Sequence, residues 1–458
     1  MPRLTFPPNF IGTPGSDTLI GKQLNASPAI GIDILTGGFI CTRSGNDAIK
    51  GTGAGSNGGN GDGNNGGDGS TGTGIANSGK LNLGNGKDAI AGTGTGGKGG
   101  KGGDVGDVGN GGKGGDGGTG TGIANSGKLN LGNGKDTIVG TGTGGNGGIG
   151  GHVNNTNYAS GGGGGDGGDG GTGTGIANSG KLNLGDGNDA IAGTGNGGNG
   201  GIGGDRDSDK DIPLLGTNGD GGTGTGIANS GKLNTGNGND TITGTGNGGN
   251  TSNGGFVGYG GAGIGIQNLQ DATISTGTGK DTITGNGNSS RANAATYGIF
   301  NDGVIDTGNG NDTIIGQATA TSDGVGYGDS PVYGIYGEGI IKSGDGNDKI
   351  IATSIVDGVQ QKVSIGGGLS IQLGAGNDYF KGFGAATVDG GKGFDTLDLG
   401  AFNRSELVVS GVISGNTLQT ADISFNNNGN TITLSTTGFD KFIFADSSFS
   451  YSTLTNGA

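Results

Sequence analysis

The sequence predicts an all-β chain wound into a parallel β-solenoid of about nine coils, with long glycine-rich insertions and a small β segment near its C-terminus. Three observations carry that expectation. A unit recurs along the chain, each copy supplies three aliphatic residues at fixed offsets, and helical periodicity is absent throughout. Composition agrees: 127 of the 458 residues are Gly and only 28% are hydrophobic, too little for one large conventional core. Collagen needs abundant Pro, and 7 Pro cannot supply it. The strict periodicity argues against low-complexity disorder.

The unit is plainest as GTGIANSGKLNLGNGKD, at 72–88 and again letter for letter at 120–136. Close variants end at Asp189 and Asp240, looser ones at Asp47, Asp281, Asp312, Asp348 and Asp378. In chain order the units end 41, 48, 53, 51, 41, 31, 36 and 30 residues apart, so a fixed core carries an insertion of variable length.

Alignment on the Asp gives three files. Seven residues before it stand Ile40, Leu81, Leu129, Leu182, Leu233, Ile274, Ile305, Ile341 and Ile371. Two after it stand Ile49, Ile90, Ile138, Ile191, Ile242, Ile283, Ile314, Ile350 and Phe380. Thirteen before it stand Ile34, Ile75, Ile123, Ile176, Ile227, Ile299, Ile335 and Ile365, with Ile266 the nearest equivalent in the unit that ends at Asp281. Three anchors cannot form a core alone, but units stacked at the strand spacing of about 4.8 Å build a continuous one. Asn77, Asn125, Asn178, Asn229 and Asn301 share a position two after the first anchor, and Gly337 takes it in one unit. Stacked, they form an amide ladder; the alternative is a turn residue that tolerates unusual backbone angles.

The insertions have a period of three. Lys98, Lys101, Asp104, Asp107, Asn110, Lys113, Asp116 and Thr119 recur every third residue, with Gly in nearly all other places except Val105 and Val108. Two glycines in three suit a polyproline-type helix made of glycine, which has no internal hydrogen bonds and needs neighbouring rods. A floppy glycine loop is the alternative. The interruptions at 153–160 and 206–215 read as rod tips. The chain thus divides into an N-terminal cap and first motif (1–30), the repeat domain (31–400) and a C-terminal β segment (401–458).

Charge and rare residues exclude several function classes. The net charge of −15 argues against nucleic acid and anionic membranes as partners. Only Glu338 and Glu406 among the 39 acids are glutamates, and an Asp excess points to short carboxylates that cap turns or bind cations. One cysteine (Cys41) and one histidine (His152) leave little room for a zinc site, a Ser-His-Asp triad or a Cys-His dyad. No apolar run has the length of a membrane span, and the start, Met1-Pro2-Arg3, lacks the pattern of a cleaved signal peptide.

The turn sequence G-x-G-x-D-x-[aliphatic]-x-G stands at 84–92, 132–140, 185–193, 236–244, 277–285 and 308–316, and less completely around Asp17, Asp47, Asp348, Asp378 and Asp395. It resembles the nonapeptide of RTX, or hemolysin-type calcium-binding, proteins. That resemblance implies that Asp17, Asp47, Asp88, Asp136, Asp189, Asp240, Asp281, Asp312, Asp348, Asp378 and Asp395, with glycine carbonyls of stacked turns, hold Ca²⁺. A turn in which Asp merely caps backbone amides is the alternative. The motif comes once per coil here, whereas RTX repeats run in tandem at nine residues. The resemblance also implies export by type I secretion machinery, and the tail at 405–454 resembles the C-terminal signal region of such proteins. The run Asp205, Asp207, Asp209, Asp211 resembles a calcium loop but lacks the EF-hand glycine and final Glu, so it reads as a solvated acidic tip.

The functional expectation is a secreted, non-enzymatic structural protein at the cell surface, self-assembling into a filament, sheath or surface layer, similar in style to oscillin-like bacterial surface fibril proteins. Motif units begin at Asp17, which leaves no room for a globular enzyme ahead of them. An adhesin is the second reading. An ice-binder belongs with it, suggested by the Thr pairs 71/73, 119/121, 172/174 and 223/225. A polysaccharide-acting enzyme is the third.

Overall fold

The computed structural model describes residues 2–106, 109–153, 163–205, 215–251, 258–290, 294–321, 330–413, 419–427 and 429–457. Nearly all regular structure is strand, arranged in a 23-stranded and a 14-stranded sheet. Each coil follows one path, seen in the coil that holds Asp88. Gly72–Asn77 and Lys80–Asn82 lie in the first sheet, a turn follows, and Ala89–Thr95 lies in the second. Each strand pairs in parallel, in register, with its counterpart one coil on: Ile75 with Ile123, Leu81 with Leu129, Ile90 with Ile138. This is the parallel β-solenoid.

Alternation sets the cross-section. Within Ala89–Thr95, Ile90, Gly92 and Gly94 face inward while Ala91 and Thr93 face outward. The three aliphatic files are buried almost completely and merge into one core running the length of the stack. The asparagine ladder is present: Asn77, Asn125, Asn178, Asn229 and Asn268 each pass a side-chain amide N–H to the next carboxamide oxygen at 2.7–2.8 Å, ending on Asn301. It stops at Gly337, and Asn301 donates to the Ile340 carbonyl instead.

Spacing misassigns one anchor. Ile32, not Ile34, stands opposite Ile75, and Ile34 stands opposite Asn77 at the head of the amide file. The cause is a four-residue corner at 35–38 where the following coils use two residues, Ser78 and Gly79. The same lengthening at 269–272, with Asp271 at φ +64°, accounts for Ile266, which is fully in register with Ile227 and Ile299.

The stack also extends beyond the nine units. Twelve strands of the second sheet run parallel from Thr18–Ala26 to Lys441–Phe444. Residues before 31 form a coil that pairs with the next one through Leu4–Phe6, Phe10–Ile11 and Thr18–Ala26. After residue 401 the chain turns antiparallel: Thr420–Asn427 pairs with Asn430–Thr437, and Lys441–Phe444 with Ser448–Ser450. These hairpins cover the last coil, with Phe383, Phe402 and Phe425 packed edge to face beneath them.

The insertions are ordered rods. Each leaves the second sheet, runs out, and returns to the first sheet, so the two β layers continue as two layers of glycine helices. Every third residue points out, and the two intervening glycines bond to neighbours: Gly99 N–H to Asn146 O (2.8 Å), Gly100 N–H to Gly67 O (2.8 Å), and Gly115 N–H back to Gly100 O (2.9 Å). The outward-pointing residues also bond down the stack, as Lys98 N–H to Asn57 Oδ1 (2.9 Å) and Asn199 N–H to Asn146 Oδ1 (3.0 Å). A Cβ on Gly99 would sit 1.8 Å from the Gly115 carbonyl oxygen, which no rearrangement of side chains relieves. The same crowding begins inside the solenoid, where a Cβ on Gly94 would lie 2.0 Å from Thr121 O. Glycine therefore lets the sheets close together and continue as rods. Most of the rod tips, including Asp207, Asp209 and Asp211, lie outside the described residues.

Candidate functional site: a buried aspartate file

Asp88 precedes Ile90 by two residues, so strand alternation turns its carboxyl inward at the end of the turn. Stacking repeats this in every coil. The amide N–H of each Asp donates to Oδ1 of the Asp one coil on: Asp17 to Asp47 (2.7 Å), Asp47 to Asp88 (2.8 Å), Asp88 to Asp136 (2.8 Å), Asp136 to Asp189 (2.7 Å) and Asp189 to Asp240 (2.8 Å). The file continues through Asp281, Asp312, Asp348 and Asp378 to Asp395. All eleven residues singled out by the motif thus fall in one line. A twelfth, Asp440, accepts the Asp395 N–H at 2.9 Å. Of the motif's glycines only Gly438 remains there, at φ +78°, and an Asp followed two residues later by an inward apolar residue, Phe442, marks the same position. At the other end Asp17 accepts the Thr13 N–H (2.8 Å) from its own turn.

The second carboxyl oxygen is the unusual feature. Oδ2 of Asp47, Asp88, Asp136, Asp189, Asp240, Asp281, Asp312, Asp348, Asp378 and Asp395 is buried and has no hydrogen-bond partner. A native fold rarely leaves one such atom unsatisfied, and here it recurs in ten successive coils, between Asp17 and Asp440, whose Oδ2 atoms each accept an N–H. Burial drives the carboxyls toward the neutral form: Asp88, Asp189 and Asp281 are pushed up to about 6, and Asp136, Asp348 and Asp395 to about 7. The Asp N–H from the preceding coil pulls back, while neighbouring Asp charges add to the rise. Burial likewise raises Asp240, Asp312 and Asp378.

Two chemistries satisfy such an oxygen: uptake of a proton, or ligation of a cation. The turn offers further hard oxygens. At Gly134, Gly187 and Gly310 the space a Cβ would fill lies 1.4–1.5 Å from the preceding coil's glycine carbonyl oxygen and 3.2–3.3 Å from the coil's own Asp Oδ1. A glycine carbonyl and the Asp Oδ1 that already accepts an amide N–H thus lie close together in the turn, and both are hard oxygens of the kind Ca²⁺ takes. The fit has a limit. Each coil contributes one carboxylate, and no group of three or more acidic, His or Cys side chains gathers among the described residues. A cation would draw mostly on backbone carbonyls and be shared between coils. The RTX nonapeptide opens on two glycines; here the first of those positions holds Leu83, Leu131 or Leu184, fully buried beside the Asp, or Thr276 and Thr307 further on.

His152 accepts the Asp205 N–H through Nδ1 (3.1 Å) at the base of a rod tip, and Cys41 is a free thiol against Asn82. No helix of the described residues is long and apolar enough to cross a membrane. Comparison with protein-family models, with curated proteins and with solved structures finds no match, and the chain is assigned to no family.

Proposed function

We propose that the chain is a calcium-stabilised, non-catalytic structural protein of the cell exterior that self-assembles into a layer, sheath or filament. The observation behind this reading is the glycine slab. Its rods satisfy their backbone through one another, yet the outermost pairs, at 57–61 with 65–69 and at 248–251 with 258–262, border coils that carry no such insertion. A second copy's rods offer those edges the same bonding that rods exchange within the slab. Calcium enters through the orphaned Oδ2 atoms and neighbouring glycine carbonyls, with the eleven motif aspartates as ligands. Export through type I secretion machinery rests on the RTX-like turn and tail. The C-terminal hairpins cover one end of the stack, so lateral growth is favoured over axial stacking.

The test is sedimentation and negative-stain microscopy of the full chain with calcium, beside a variant whose insertion at 97–117 is cut to a short turn. Assemblies from the parent chain and smaller or fewer ones from a variant with unchanged β signal support the reading. A parent chain that stays monomeric at high concentration with calcium overturns it in favour of an adhesin.

A further inference from the structure

One corner of the solenoid carries a feature that neither the core nor the slab explains. In four consecutive coils the corner between the two arms of the first sheet is two residues long, a Ser-Gly pair such as Ser126-Gly127. These coils lie between the four-residue corners at 35–38 and 269–272. The short corners leave a trough of about 640 Å³ along the solenoid axis, ended by Phe39 on one side and Asp271 on the other. Lys80, Lys128, Lys181 and Lys232 line it in strict register, one per coil, all exposed.

Four like charges at the strand spacing of about 4.8 Å repel one another and weaken the sheet. Among the described residues the one carboxylate lining the trough is Asp271, at its end, against four lysines. None of the four forms an ion pair with a described residue, and the file's next neighbours are the uncharged Phe39 and Thr273. The asparagines two residues on, Asn82, Asn130, Asn183 and Asn234, spend their carboxamides on one another (2.8 Å) and supply no counter-charge. A chain of net charge −15 has thus concentrated positive charge in one elongated concave site.

We propose that this trough binds an extended acidic polysaccharide that carries a carboxylate on each sugar. The lysines present one cation per coil, a straight row of positive charge that an extended chain with a carboxylate on every sugar matches at several points along its length. The Ser hydroxyls of the floor add partners for sugar hydroxyls. Single-stranded nucleic acid would need a series of aromatic platforms, and the trough has only Phe39 at one end. The site is independent of the assembly reading: it lies at the corner, not on the slab.

The experiment is titration of the full chain with polygalacturonate oligomers by calorimetry, with uncharged dextran and single-stranded DNA as comparisons. Lys128→Gln with Lys181→Gln should weaken polygalacturonate binding at least tenfold. Lys87→Gln with Lys135→Gln, likewise exposed but on the Asp turns of the Lys80 and Lys128 coils, should leave it within twofold. Equal loss in both pairs, no binding by the parent chain, or DNA bound as tightly as the glycan overturns the proposal. So does a Lys128/Lys181 variant that loses salt-sensitive self-association without the parent binding glycan. That result would give the trough to the Asp68, Asp116, Asp169 and Asp220 file of a second copy.

Discussion

Each central coil holds itself together in two opposite ways, on its aliphatic side and on its glycine side. Around Leu81, Leu129 and Leu182 the coils bury side chains and the hydrophobic effect supplies the stabilisation. In the slab almost nothing but backbone is buried, and rods cohere through N–H···O bonds of 2.7–3.0 Å to several neighbours at once. A typical internal hydrogen bond is worth only about 1 kcal/mol net, and ordering glycine costs more entropy than ordering any other residue. The slab is therefore the less stable half, and it depends on the aliphatic half to hold its rods at a common pitch. Gly94 and its counterparts join the two, because only there do the sheets come close enough to continue as rods.

The largest effect should come from the aliphatic half. Ile176→Ala should cost about 2–5 kcal/mol of global stability, read by denaturant unfolding, because the fully buried file cannot collapse around the cavity. The aspartate file should come next, through pH. In the folded chain burial pushes Asp88, Asp136, Asp189, Asp281, Asp348 and Asp395 up to about 6 or about 7, well above their ordinary unfolded value, so the native state binds these protons more tightly. That contribution is complete below about pH 4 and is lost as pH rises through 6 to 7. In chelator the melting temperature should therefore fall between about pH 5 and pH 8, and calcium should restore it at pH 8 far more than at pH 5. Asp136→Asn with Asp189→Asn should melt above the parent at pH 8 in chelator and respond less to calcium. A calcium response unchanged by both substitutions would exclude these residues as ligands.

Smaller again is Asn178→Ala, which breaks two bonds of the amide ladder and leaves one Asn125 amide N–H without its acceptor. Here about 1–3 kcal/mol is expected. The smallest change in melting should come from Gly148→Ala. Its Cβ would sit 1.9 Å from the Gly100 carbonyl oxygen, so the slab must open locally while the solenoid stays folded. Hydrogen exchange should lose protection at Gly99, Gly100, Gly114 and Gly115, with the strand amides of Ala89–Thr95 unchanged. A global loss as large as that of Ile176→Ala would contradict the division into a driving half and a dependent half.

Sequence alone was enough for everything that depends on repetition at a fixed offset. The files headed by Leu81 and Ile90 and the Asp line follow from a unit stacked on itself, because parallel in-register pairing places identical positions one above another. Triplet glycines foreshadowed the rods for the same reason. Tertiary structure decided whatever depends on length and on what lies opposite. Two extra residues at 35–38 moved Ile32 into the place spacing assigns to Ile34, and only the paired backbone reveals it. Asp440 entered the file with only one of the motif's glycines, Gly438, and its place in the coil shows only in the bond from the Asp395 N–H. The orphaned Oδ2 atoms and the lysine trough are likewise invisible in one dimension. Burial and concavity are properties of the space between coils, set by how closely neighbouring turns approach, and no single unit contains that space.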